Sequence, residues 1–243
     1  MASMYTGAGN ISREVVVEHL VNISRELESL IVAVNSLLGE ENLPSTEYLD
    51  KFLRQDVFTS KERIESNIAQ LLLYIASGRI ELVDSKELIL RITEELRSVT
   101  SKLEALVHRI KIASKAGVRV PPSILGEIKN MLSLVTEASG HVTTLVRLMG
   151  RAYGNHSVAR MMETRNDKVQ EIERLVDDSY RRILDSLVTE AKDFKEYVLL
   201  RDTVDLIEDI TDNLSRLSLN LYVMGVSLAS TTGAAYEESQ FEM

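Results

Sequence analysis

The stretch ILRITEELRSVTSKLEALVHRI, residues 89–110, decides the fold. Its apolar residues Ile89, Ile92, Leu96, Val99, Leu103, Leu106 and Ile110 recur in steps of 3, 4, 3, 4, 3 and 4. That is the a/d rhythm of a helix packed along one stripe. Toward the N-terminus the rhythm returns as Val16, Leu20, Ile23, Leu27, Leu30, Val34 and Leu37. Toward the C-terminus it returns as Ile128, Met131, Val135, Ala138, Val142, Leu145 and Met149. Between these rows lie few breakers. Prolines number three in 243 residues, tryptophan is absent, and Phe and Tyr number 4 and 8. The core must then be built from Leu, Ile and Val, and the chain reads as an all-α protein.

Punctuation divides the chain into helices. Asn10 or Ser12 is positioned to cap the first, and Gly39 stops it. A short amphipathic piece over 45–55 follows Pro44. The second long helix spans 60–77 with Gly78 at its end. Asp84 caps the third, which runs to about Lys115. The segment GVRVPP (117–122) is the clearest linker. Ser123 opens the fourth helix and Gly154 closes it; the fifth covers 157–193 and the sixth 201–230. Residues 231–243 are small, polar and acidic, and are expected to be disordered.

The order of helices repeats. Leu96, Val99 and Leu103 align with Ile207, Ile210 and Leu214 at an offset of 111. Arg63-Ile64-Glu65 aligns with Glu171-Ile172-Glu173 at an offset of 108. Consistent offsets imply an internal duplication. The expected organisation is a flexible N-terminus (1–11), a first three-helix repeat (12–116), a second (117–230) and the tail (231–243), each repeat able to close on its own a/d core.

Composition excludes several function classes. Cysteine is absent, which rules out disulfides and zinc–thiolate sites and suits a reducing cytoplasm. No apolar run approaches the roughly 18 residues of a membrane span, and the N-terminus has no signal-peptide pattern. A net charge of -9 argues against a nucleic-acid binder. No HExxH, G-x-S-x-G or P-loop is present, so the chain reads as a non-enzyme. Glu104/His108 and Glu137/His141 are four apart, whereas di-iron bundles use Glu-x-x-His, three apart. A redox enzyme of the ferritin type therefore lacks its ligand pairs.

Two pairs of carboxylates stand out. Glu173 and Asp177 are four apart on the fifth helix; Glu208 and Asp212 are four apart on the sixth. Each pair shares one helix face. Glu173 falls within the apolar arc of its helix and Asp177 just past it, while Glu208 shares a stripe with Val204 and Leu219. Ionised carboxylates at a packed face are costly without a positive partner. Two pairs facing each other would form a nest for a hard cation: Mg, Ca, Mn or Fe, with Zn also admissible. The competing reading is a set of rim carboxylates paired with Arg174, Arg181, Arg182, Arg201 and Arg216.

The segments EIERLVDDSYRRIL (171–184) and DTVDLIEDITDNLSRLS (202–218) resemble the paired E(D)xxxD motifs of the PhoU-like family, in its phosphate-transport regulator branch. The resemblance covers about 165–230 well and the first half mainly through helix order. It implies a six-helix fold of two three-helix repeats and metal binding at Glu173, Asp177, Glu208 and Asp212. It also implies a non-enzymatic role, regulating phosphate transport by contact with a membrane phosphate transporter or an associated regulator. The location it implies is cytoplasmic, peripheral to the inner face of the membrane. The first half departs from the motif. Glu65 aligns with Glu173, but Ala69, Arg97 and Ser101 stand where Asp177, Glu208 and Asp212 do. Glu65 and Arg97 are expected to form a salt bridge where the other half would hold a cation. The sixth helix is apolar nearly all round from Leu214 to Leu228, so it is either central or covered by another subunit. That makes a homo-oligomer an expectation. The alternative function is a metal-free helical scaffold or adaptor.

Overall fold

A computed structural model describes residues 5–39, 43–77 and 83–230, and side chains within 14–39, 43–77 and 86–230. The described residues are all-α, with no strand. The helices are α1 (Tyr5–Asn35), α2 (Thr46–Phe52), α3 (Phe58–Ala76), α4 (Val83–Lys115), α5 (Pro122–Met149), α6 (His156–Glu190) and α7 (Phe194–Ser230). A π-helical turn, Leu53–Val57, joins α2 to α3 without a break, so the chain forms six long rods. Along this rod Leu49, Leu53 and Val57 are buried in two successive steps of four. Steps of four drift around an α-helix, and the wider π turn absorbs the drift. The short piece expected over 45–55 and the second long helix are thus one rod, opened by Ser45, whose hydroxyl accepts from the Tyr48 N–H.

Helix ends moved where their chemistry was subtle. α1 begins at Tyr5, so Asn10 and Ser12 lie inside it and not at its start. Gly7 and Gly9 weaken a helix without stopping it. α4 begins at Val83, one residue before Asp84. α5 starts at Pro122, whose fixed φ and missing N–H suit the first helical position. It ends at Met149, before Gly154, which adopts a positive φ of 62° in the following turn. α7 starts seven residues before the expected Arg201. Its first turn is capped by Asp193, whose carboxylate accepts from the Glu196 N–H at 2.8 Å. Asp193 and Glu196 form a D-x-x-E signature that marks this start in the sequence. α4 ends with Gly117 at φ 68°, and the Val118 N–H bonds back to the Ala113 carbonyl across five residues. Gly39 lies just past α1, Gly78 and residues 231–243 lie outside the described residues.

α7 is the central rod, packed on α4, α5 and α6; α1 packs on α5, α3 and α4. The apolar rows of the two halves join in one continuous core instead of closing as two. Leu214, Leu217 and Leu221 of α7 are fully buried within it. A helix apolar on most of its circumference needs more neighbours than one three-helix bundle supplies. No helix among the described residues is long and apolar enough to cross a membrane.

Candidate metal centre

α6 and α7 form an antiparallel hairpin around the short turn at 191–193, and polar side chains equidistant from that turn meet. Asn166 accepts from Ser218 at 2.9 Å, Ser215 donates to Gln170 at 3.0 Å, and Tyr180 donates to Asp205 at 2.8 Å. Glu173 and Asp177 on α6 fall at the same levels as Asp212 and Glu208 on α7. The hairpin register therefore sets which polar residues share a level, and the packing of the two helices decides which of them meet.

Carboxylate oxygens of Glu173, Asp177 and Asp212 lie within 4.8 Å of one another, and all three side chains are half-buried. Glu208, the fourth residue singled out in the sequence, stands outside this group. It shares the electrostatics nonetheless. Burial pushes its carboxyl up to about 7, with the negative charges of Asp212, Asp209, Asp177 and Asp205 adding to the shift. Burial also raises Glu173, followed by repulsion from Asp177 and Asp212. It raises Asp212 against the opposing pull of Arg216. Burial and the bond to Asp205 push Tyr180 up to about 12.

Cations reach the cluster only at its edges. Arg181 approaches Asp177 at 3.4 Å and Arg216 approaches Asp212 at 3.8 Å, both from exposed positions. Arg216 also serves Glu95 of α4 at 3.3 Å. Lys102 of α4 holds Asp209 at 2.8 Å, and Arg201 holds Asp205 at 3.5 Å. Of the arginines considered as neutralising partners, Arg182 turns away to Glu127. Sequence reasoning missed Lys102, Tyr180, Asp205 and Asp209. Packing on α7 brings Lys102 from α4 and Tyr180 from α6, whereas Asp205 and Asp209 stand on α7 three residues before Glu208 and Asp212.

The three clustered carboxylates fit a hard cation by donor type and spacing, with water completing the shell. Their mutual repulsion, relieved only in part by Arg181 and Arg216, is what a divalent ion would remove. One consequence is measurable in chelator-treated protein. Glu208 titrates at about 7 in the fold against 4.5 normally, so between these values the folded protein binds more protons than the unfolded chain. The contribution of Glu208 to stability is then fully present below pH 4.5 and is lost as pH rises through about 7. Glu208→Gln should flatten this decline. Water reaches the carboxylate, so the expected gain at pH 8 is on the order of 1 kcal/mol in urea unfolding, not the full value of the shift.

The first half offers an internal comparison. Arg97 Nε donates to Glu65 Oε2 at 2.9 Å. The salt bridge expected from the aligned positions is present, with a guanidinium at the position where the second half carries Glu208. Both partners are partly exposed, and Arg97→Ala should cost less than about 1 kcal/mol. Compared with known protein families and with curated proteins, the chain finds no match, and the role of the site rests on its own residues.

Proposed function

We propose that this chain is a metal-binding, non-enzymatic regulator built from two tandem three-helix repeats. It acts by contact on a membrane phosphate transporter or its signalling partner, as its PhoU-like resemblance implies. The repeat is supported by the succession α1–α3–α4 and α5–α6–α7. It is supported further by the packing of like on like across the halves, α1 on α5 and α4 on α7. The observation that carries the metal reading is the contrast between the halves. Where the first half places Arg97 against Glu65, the second gathers three carboxylates with cations only at its rim. One half has a cation in its sequence; the other is arranged to take one from solution. A metal bridging α6 and α7 would fix their relative position and so the shape of the face they present. The phosphate assignment rests on the resemblance alone.

A second reading is a metal-free scaffold, favoured by the ion pairs Arg181–Asp177 and Arg216–Asp212. Metal content separates the two. Protein purified without chelator should carry about one divalent or trivalent ion per chain. The Glu173→Ala/Asp212→Ala variant should carry none while keeping its helical circular dichroism. Absence of metal in both leaves the scaffold. Phosphate uptake by vesicles carrying a phosphate permease, with and without the protein, then tests the transport assignment.

A further inference from the structure

We propose that the outward face of α7 is a docking groove for an amphipathic helix of a partner protein, apolar along one stripe and basic at one end. The proposal rests on the contact-based part of the reading above and describes the metal-free protein, because a bound cation would neutralise the carboxylates used here. α7 is covered by α4, α5 and α6 but keeps one side open. Leu219, Val223 and Val226 occupy that side, exposed by 48%, 47% and 38%. Steps of four and three place them on one stripe, and at 100° per residue the stripe continues through Asp212 and Glu208. Side chains of the flanking helices bound its acidic half. On one side Glu95 and Lys102 of α4 meet Arg216 and Asp209; on the other Gln170 of α6 meets Ser215.

The face thus has an apolar half and an acidic half on one line. From Asp212 to Val226 it runs about 21 Å, the length of a helix of about 14 residues. Its acidic half holds the triad Glu173, Asp177 and Asp212 with Glu208 beside it, against Arg181, Arg216 and Lys102, of which Arg216 is shared with Glu95 and Lys102 is held by Asp209. A helix laid in such a groove uses apolar anchors at i, i+3, i+4 and i+7, and charge fixes its direction. A second copy of this chain is a poor occupant. Parallel apposition would set carboxylates on carboxylates, and a fully overlapped antiparallel one would set carboxylates on Leu219 and Val223. Antiparallel overlap confined to the apolar half would span only about 10 Å.

The test uses the full chain in EDTA, so metal occupancy does not enter. Three 18-residue helical peptides share one leucine stripe and carry Lys, Gln or Glu at the polar positions of one end. The Lys peptide should bind at least tenfold tighter than the Gln peptide, and the Glu peptide should not saturate. Val223→Asp, at an exposed position, should keep the melting temperature and weaken the Lys peptide more than tenfold. Glu208→Gln/Asp212→Asn should bring the Lys peptide to the level of the Gln peptide. Equal binding of all three, binding of none, or binding indifferent to Val223→Asp overturns the proposal. So does a dimer in light scattering that Val223→Asp makes monomeric, which would assign the groove to a second copy. Val223→Asp leaves the carboxylate triad intact, so failure here and failure to find metal are separate results.

Discussion

Leu214→Ala is expected to cost about 3–5 kcal/mol, the upper part of the range for a buried leucine. Leu214 is fully buried on the helix that packs on three others. The space left by its side chain borders rods held on several sides, and such a site collapses poorly around a cavity. Urea unfolding followed by circular dichroism should show a lower midpoint with an unchanged slope. The control is Leu219→Ala, five residues on and 48% exposed, which should change stability by no more than about 0.5 kcal/mol. Equal losses at the two positions would remove α7 from the centre of the core.

Gly225→Val is expected to cost about 2 kcal/mol. A Cβ at Gly225 would meet the Sδ and Cε of Met162, and Met162 is itself fully buried on α6. Glycine is a weaker helix former than valine by about 0.4 kcal/mol, so a side chain here would slightly stabilise α7 if space allowed. Overpacking in a filled core costs about 1–3 kcal/mol and outweighs that gain. The thioether is the flexible end of a side chain, which keeps the cost from rising further. Met162→Ala should cost about 2–5 kcal/mol alone, through the cavity it opens. In the double variant the valine enters that cavity, so the combined loss should fall short of the sum by at least about 1 kcal/mol. Additive losses would mean that α6 and α7 do not approach as closely at Gly225 as described.

Both positions bear on the candidate site. The same α6–α7 contact that brings Met162 against Gly225 sets the register that places Glu173 and Asp177 beside Asp212. A change that loosens the hairpin is expected to spread the carboxylates even though it touches none of them.

The sequence by itself determined the helices and their order. Apolar steps of three and four report a packed stripe whatever that stripe packs against, so α1, α4 and α5 were legible from Val16 to Met149. It also determined that Glu65 and Arg97 pair, because aligning two copies of one helix order brings their positions together. It identified Glu173, Asp177, Glu208 and Asp212, because residues four apart share a helix face regardless of context. Helix ends were less legible. Asp193 capped a helix whose apolar rhythm strengthens only later, and the start of α1 passes through Gly7 and Gly9 without a stop. Only the tertiary structure decided which of the four carboxylates converge. A stripe gives the direction of a side chain about its own axis, but not the offset between two axes. The packing left Glu208 outside the triad although it shares a level with Asp177, and it brought Lys102 to Asp209. The merging of two expected cores into one was decided there too, because an apolar circumference on α7 does not say which helices cover it. The same packing left Leu219, Val223 and Val226 open: α4, α5 and α6 occupy three sides of α7, and no described helix covers the fourth.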